Sequence, residues 1–394
     1  MANNFSIAFP AEPQTATPAI SKTTLFFLLL IVAGLGAGAY AFMTGHHHAY
    51  ANSRDLPWGI LISSYVFFAV TSTGLCLLAA ISHLFGGNKF APLANRTVFL
   101  AIVTIIAAFS IIGMEIENPW RMPLYNMLSP NLTSNIWWMG TLYGLAVGFM
   151  LVEFFLILSK RYSMAVILGV AGALAEVGAN TNLGAVFATL SGRPFWYGAQ
   201  LPVYFLASAF LSGAAAILLF THLAYKIRGQ ELCSETYEAM QSAGKVLALM
   251  LFLIGVATGW RFISFFVGGT ELGRTAAESL LNGPLSSNFW IFEVVIGLLM
   301  PLAILVVSRM KSVQAMSTAG LLALVGQFFS RYDLVIAGQQ VPQYLGWDKL
   351  PTFMAYTPSL AEFLVVLGGI GITGAGFLLG ERFFGYAFRH KGHH

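Results

Sequence analysis

Charge is what this sequence lacks most. Only 9% of its residues are Asp, Glu, Lys or Arg, whereas soluble domains carry about a quarter. A chain so poor in charge cannot cover a water-facing surface, so lipid must cover much of it. The net charge of +4 is too small and too dispersed for nucleic-acid binding. Cysteine is nearly absent. Cys76 lies in an apolar run and Cys233 in a polar stretch, and the two have neither metal nor disulfide spacing. An iron–sulfur cluster would therefore have to belong to a partner. A membrane cytochrome needs axial ligands from facing helices. Only His83 and His222 fall within apolar runs, both near one membrane surface, so no haem is expected.

Apolar length is what the sequence has. Hydrophobic residues make up 57% of it, with 33 Phe, 40 Gly and 8 Trp. That composition suits packed membrane helices, where glycine is tolerated and tryptophan gathers at interfaces. Apolar segments fall near 25–43, 58–85, 97–115, 136–158, 164–187, 200–224, 244–265, 289–308, 314–332 and 360–380. Each meets or approaches the ~20 residues a helical crossing needs. The expected fold is an all-α integral membrane protein of about ten transmembrane helices in two bundles. In 164–187, Glu176, Asn180, Thr181 and Asn182 interrupt the run, and a re-entrant or broken helix is the alternative there. Residues 1–24 read as a polar tail without a cleaved signal, 25–384 as the membrane domain and 385–394 as a second tail.

Ten crossings put both termini on one side. Of the 20 Lys and Arg, thirteen fall on that side; Arg54, Arg121, Arg193, Arg261, Arg274, Arg331 and Lys349 fall on the other. The positive-inside tendency then places both termini in the cytoplasm of a multi-pass protein in the cell inner membrane. The outer loops, near 44–57, 116–135, 188–199, 266–288 and 333–359, are rich in Trp, Pro, Tyr and Asn. Such loops can dock another protein or simply cap the bundle.

Ionisable residues within spans are costly and face the bundle interior or a wet cavity. Glu115, Arg261, Glu293, Arg331, Asp333 and Glu362 gather toward the outer ends, with Arg121 and Arg193 in adjoining loops. They form either a polar cavity or interfacial caps. Glu153, Glu176, His83 and His222 lie deeper or toward the cytoplasm. Buried carboxylates and imidazoles can pass protons, although histidines at helix ends also simply snorkel. Glu176 stands roughly 20 Å from the cytoplasmic end at ~1.5 Å per residue.

Several stretches go beyond a generic bundle: "LPWGILISSYVFFAVTSTG" (56–74), "RPFWYGAQLPVYFLASAFLSGAA" (193–215), "FWIFEVVIGLLMPLAIL" (289–305), "RYDLVIAGQ" (331–339) and "YTPSLAEFLVVLGGIGITGAGFLLGERFF" (356–384). Together they resemble the NrfD/PsrC-like integral membrane proteins over about residues 56–384. The ten-span form looks most like the membrane subunit of the sulfate reducers' quinone reductase complex. The resemblance implies a haem-free quinone or quinol site near the outer surface. It also implies an iron–sulfur subunit docked on the periplasmic face, with a multihaem cytochrome c and a molybdopterin-oxidoreductase-like subunit in the same complex. Menaquinone or another quinone would be the substrate, with no covalently held cofactor. Carried onto this sequence, Trp58, Tyr65, Glu115, Arg261 and Asp333 line the quinone site. Glu115, Tyr65 and Glu362 stand nearest the chemistry, Glu115 as the proton acceptor. From the residues themselves, Glu153, Glu176, His83, His222 and Glu293 are the candidate proton path, with protons entering either from the outer side through the acidic cluster or from the inner side through Glu153 and Glu176. Two other classes compete. An ion or solute transporter would show repeated halves, and the parallels here are loose. A passive anchor would leave Glu153 and Glu176 without a purpose.

Overall fold

Helices account for all the regular structure in the computed structural model, which describes residues 21–84, 88–343 and 350–388. In chain order they are α1 (Lys22–Thr44), α2 (His46–Ala49), α3 (Ile60–Leu84), α4 (Ala91–Glu115), α5 (Arg121–Leu128), α6 (Asn135–Leu158), α7 (Tyr162–Ala188), α8 (Gln200–Arg228), α9 (Ser234–Gly268), α10 (Glu271–Leu281), α11 (Met300–Val307), α12 (Val313–Gln340) and α13 (Leu360–Phe383). A π-helix, Asn288–Leu299, runs directly into α11. Among the described residues, ten helical stretches are long and apolar enough to cross a membrane. Both tails fall largely outside the described residues, as does the side chain of His83.

Local chemistry sets where the helices begin. Ser21, Ser134, Thr270, Ser312 and Ser359 each accept a bond from a first-turn backbone N–H, which satisfies a donor the helix leaves unpaired. The expected outer loops are more ordered than composition indicated. Residues 116–135 contain α5, and 266–288 contain α10, which buries Ala276, Ala277 and Leu280. The suspected break in the fifth span is absent, because α7 is continuous. Thr181 donates to the Val177 carbonyl at 2.6 Å and Asn182 to Gly178 at 2.9 Å. These polar side chains bond back to their own helix and leave its ladder whole.

The central helix is α3, almost wholly buried along its span. It packs on α4, α7, α8, α12 and α13. The strong helix pairings form groups around it: α13 with α1 and α4, α6 with α7, and α8 with α9 and α12. Small residues allow this closeness. A Cβ on Gly74 of α3 would strike the Ala209 carbonyl of α8, so only glycine fits there.

At the face where α1 begins and α13 ends, the Glu381 carboxylate accepts from Arg96 of α4 at 2.7 Å and pairs with Arg228 of α8 at 2.7 Å, while Arg228 donates to the Glu381 backbone carbonyl at 2.6 Å. Arg96 is only 2% exposed. Two of the cations counted toward orientation thus also pin three helix ends together.

Candidate functional site

At the opposite, far face, α1 ends at Gly45, whose φ of 91° suits glycine, and the short α2 turns back over the bundle. His46 then lies between Phe42 and Tyr50, with ring centroids 5.0 and 5.1 Å away. The Tyr50 hydroxyl donates to the Met114 carbonyl at 2.9 Å. Burial, with Glu115 and Glu362 nearby, pushes the Tyr50 phenol up, so it remains a donor. Asn52 donates its amide to Glu115 Oε1 at 2.7 Å. Glu115 Oε2 and Asn52 Oδ1 are buried without a good hydrogen-bond partner, and the His46 ring nitrogens are buried against the Glu115 backbone. Burial lowers the His46 pKa against the opposing pull of Glu117, favouring neutral imidazole. Neutral imidazole offers one donor and one acceptor.

Beside this group, wholly buried Glu362 is held by three donors. Its Oε2 accepts from Ala51 N at 3.0 Å and Ser359 N at 2.7 Å, and its Oε1 accepts from the Tyr356 hydroxyl at 2.7 Å. Tyr356 in turn accepts from Ile60 N at 2.8 Å. Ser359 and Glu362 form a capping box. Glu362 therefore ties the α2–α3 connection to the start of α13. Gly59 forms the floor: a Cβ there would clash with the Tyr356 hydroxyl and lie 2.6 Å from Asn52 Oδ1 and 2.8 Å from Glu362 Oε1.

A second polar group lies between α8, α9, α12 and the π-helix. Arg261, Glu293, Ser330 and Asp333 line a cavity of about 20 Å³, with Leu280 of α10 in its wall. The volume suits about one water. Arg261 donates to the Phe195 carbonyl at 3.0 Å and lies over that ring at 4.1 Å. Arg331 donates to Ser208 and lies over Phe205 at 4.6 Å. Among the described residues neither arginine forms a direct ion pair with an acid. Arg261 Nε and Arg331 Nη1 are buried without a good partner, and Asp333 is buried beside Asn288. Glu293 sits in the π-helix, a geometry that recurs at functional sites.

The third group is in the core. Glu176 is fully buried and accepts from Thr73 at 2.6 Å and Ser72 at 3.5 Å. Asn180, one turn along, is buried without a good partner, and the Tyr143 hydroxyl is buried beside Thr73. Glu153 of α6 is 2% exposed and packs on Gly169 of α7, where a Cβ would lie 2.5 Å from its Oε1. Gly169 and Glu176 stand about 10 Å apart along α7. His222 is half-buried on α8 near Lys226.

The structure thus brings together Glu115 and Glu362, and separately Arg261, Glu293 and Asp333. Tyr65 joins the core group, donating to Met139 Sδ at 3.6 Å, and does not join the Glu115 cluster. Trp58 stacks on Trp196 at 5.3 Å, and Gln339 binds its backbone at both N–H and carbonyl. Sequence reasoning missed His46, Tyr50, Asn52 and Tyr356. The polar run "HHHAYAN" directly after the first span was the available signal. Among the described residues no cluster of three or more His, Cys, Asp or Glu could hold a metal.

The sequence profile of the polysulphide reductase NrfD family matches residues 48–343. The chain belongs to the NrfD family. It is a multi-pass membrane protein, with the inner-membrane location typical of that family. Its similarity to five known proteins covers between 72% and 91% of this chain. The chain is 25% identical to the Hdr-like menaquinol oxidoreductase integral membrane subunit of Archaeoglobus fulgidus, over 91% of this chain and 93% of that protein. It is 24% identical to a selenate reductase subunit of Mesobacillus selenatarsenatis, over 80% and 83%. It is 23% identical to the NrfD protein of Escherichia coli, over 73% and 96%.

Proposed function

We propose that the chain is the quinone- or quinol-reactive membrane subunit of a respiratory oxidoreductase complex, with the ring bound at the His46–Asn52–Glu115 cluster. One observation carries this reading. Two polar atoms, Glu115 Oε2 and Asn52 Oδ1, are buried in one cluster without good hydrogen bonds, beside the His46 ring that lies against the Glu115 backbone. Unpaired buried polar groups are costly, so such a set is built to meet a ligand. A quinone has two carbonyl oxygens that gain two protons on reduction. Glu115 Oε2 exchanges a proton with one of them, His46 donates to or accepts from the ring oxygens, and Asn52 fixes the carboxylate. Glu362 and Tyr356 position the α2–α3 connection and take no proton themselves. Trp58 and Tyr65 shape the adjoining packing.

In this reading the far face is periplasmic and the termini cytoplasmic, which the positive-inside bias supports. An iron–sulfur subunit docks on the far-face loops and exchanges electrons there. A multihaem cytochrome c and a molybdopterin-oxidoreductase-like subunit complete the complex. The menaquinol in the name of the archaeal relative supports menaquinone as substrate. Glu176 and Glu153 are the inner proton steps, and the Arg261–Glu293–Asp333 cavity is a second polar station.

The test is a binding titration of menaquinone and ubiquinone analogues on the purified complex, with and without Glu115→Gln. Analogue binding should be measurable in the parent complex. The variant should assemble normally and lose turnover by on the order of 10². Normal turnover in that variant would remove Glu115 as acceptor.

A further inference from the structure

A large cavity among the described residues lies away from every polar group described above. It holds about 520 Å³ and sits between α1 and α13 on one side and α8 and α12 on the other, with α3 and α4 behind. Six phenylalanines line it: Phe27, Phe67, Phe68, Phe220, Phe328 and Phe329. Its hydroxyls do not face a ligand as free groups. Thr71 donates to Phe67 at 2.7 Å, Thr104 to Leu100 at 2.6 Å and Thr373 to Gly369 at 3.2 Å, each within its own helix. The walls are therefore hydrocarbon.

Depth narrows the occupant. Phe68, Thr104, Phe220 and Leu324 each stand roughly 12–17 Å from the nearer end of their helices, which is the middle of a bilayer. The terminal side is closed by the Phe220–Phe377 contact, with centroids 4.9 Å apart. The lateral side is open, since the lining residues Leu321 and Ile370 are 47% and 43% exposed. Water has no polar partner in such a space. Left empty, the walls would forfeit dispersion contacts over their whole area.

We infer that this chamber binds one acyl chain of a membrane phospholipid, entering sideways past Leu321 and Ile370. In a bilayer the hydrophobic effect gives no preference for that site, so the gain is packing of the acyl group against the aromatic walls. A quinone tail fits the observations less well. The groove beneath the Glu115 cluster, lined by Ile31, Ile111, Met114 and Val365, shares no lining residue with the chamber. The inference is independent of the proposed quinone site. The bound lipid would fill the space between the α1–α13 and α8–α12 groups.

The test uses the full chain in phosphatidylethanolamine–phosphatidylglycerol vesicles containing a phosphatidylethanolamine with a diazirine midway along one acyl chain. After irradiation, adducts are mapped by peptide mass spectrometry. Adducts should concentrate on Phe27, Leu324 and Phe328, well above those on outward-facing Phe252 and Val256. Leu321→Trp, a change at the exposed mouth, should reduce chamber adducts by about tenfold and leave those on Phe252 and Val256 unchanged. Thr373→Leu, which narrows the chamber from inside, should do the same. Equal labelling of chamber and outer surface would overturn the inference. So would displacement of the label by an isoprenoid quinone at concentrations where added phospholipid has no effect.

Discussion

Glu115 on α4 and Asn52 before α3 are joined by one 2.7 Å hydrogen bond that leaves the second oxygen of the carboxylate and the amide oxygen unpaired. Two residues 63 positions apart in sequence thus share a site that neither could make alone. His46 completes it from a turn that only Gly45 allows.

The first prediction concerns pH. Burial lowers the His46 pKa below 6.5. As pH falls, the unfolded chain protonates this histidine before the folded one does. Its contribution to stability is present above 6.5 and is lost as pH falls through the lowered folded value. Thermal unfolding between about pH 5 and 7 should therefore fall off more steeply in the parent than in His46→Asn. Parallel curves would show that His46 is not held neutral.

Gly59→Ala should injure the site without removing any polar group. The new methyl meets Tyr356, Asn52 and Glu362 together. Overpacking of this kind costs about 1–3 kcal/mol. Quinol turnover should fall while the amount of assembled complex stays near normal, as read by activity per mole of purified protein.

Glu381→Ala should destabilise the terminal face. It leaves the buried Arg96 guanidinium without its carboxylate and removes the 2.7 Å contact to Arg228. Losing one partner of a buried pair costs about 3–5 kcal/mol. The expected outcome is a clear drop in the unfolding midpoint in detergent with the quinone affinity unchanged.

Glu176→Gln tests the inner proton steps. Gln keeps the shape that Thr73 and Ser72 pack against but carries no titratable proton. In reconstituted vesicles, turnover should continue with a smaller membrane potential. Unchanged potential at unchanged turnover would remove Glu176 from any path.

The sequence by itself determined the ten crossings, because a run of about 20 apolar residues has no stable alternative to a helix in lipid. It also held the start of α13, since Ser359 and Glu362 have capping-box spacing just before an apolar run. Only the tertiary structure decided which polar groups meet. Glu115 and Glu362 converge, Tyr65 turns to the core, and Arg261 joins Glu293 and Asp333. Thr181 and Asn182 of the fifth span looked like part of a break because bonds back to the same helix leave no mark in composition. Hydropathy is a property of each segment and survives without the others. A site made of α1, α2, α4 and α13 depends on how those segments pack, and packing is a property of the whole chain.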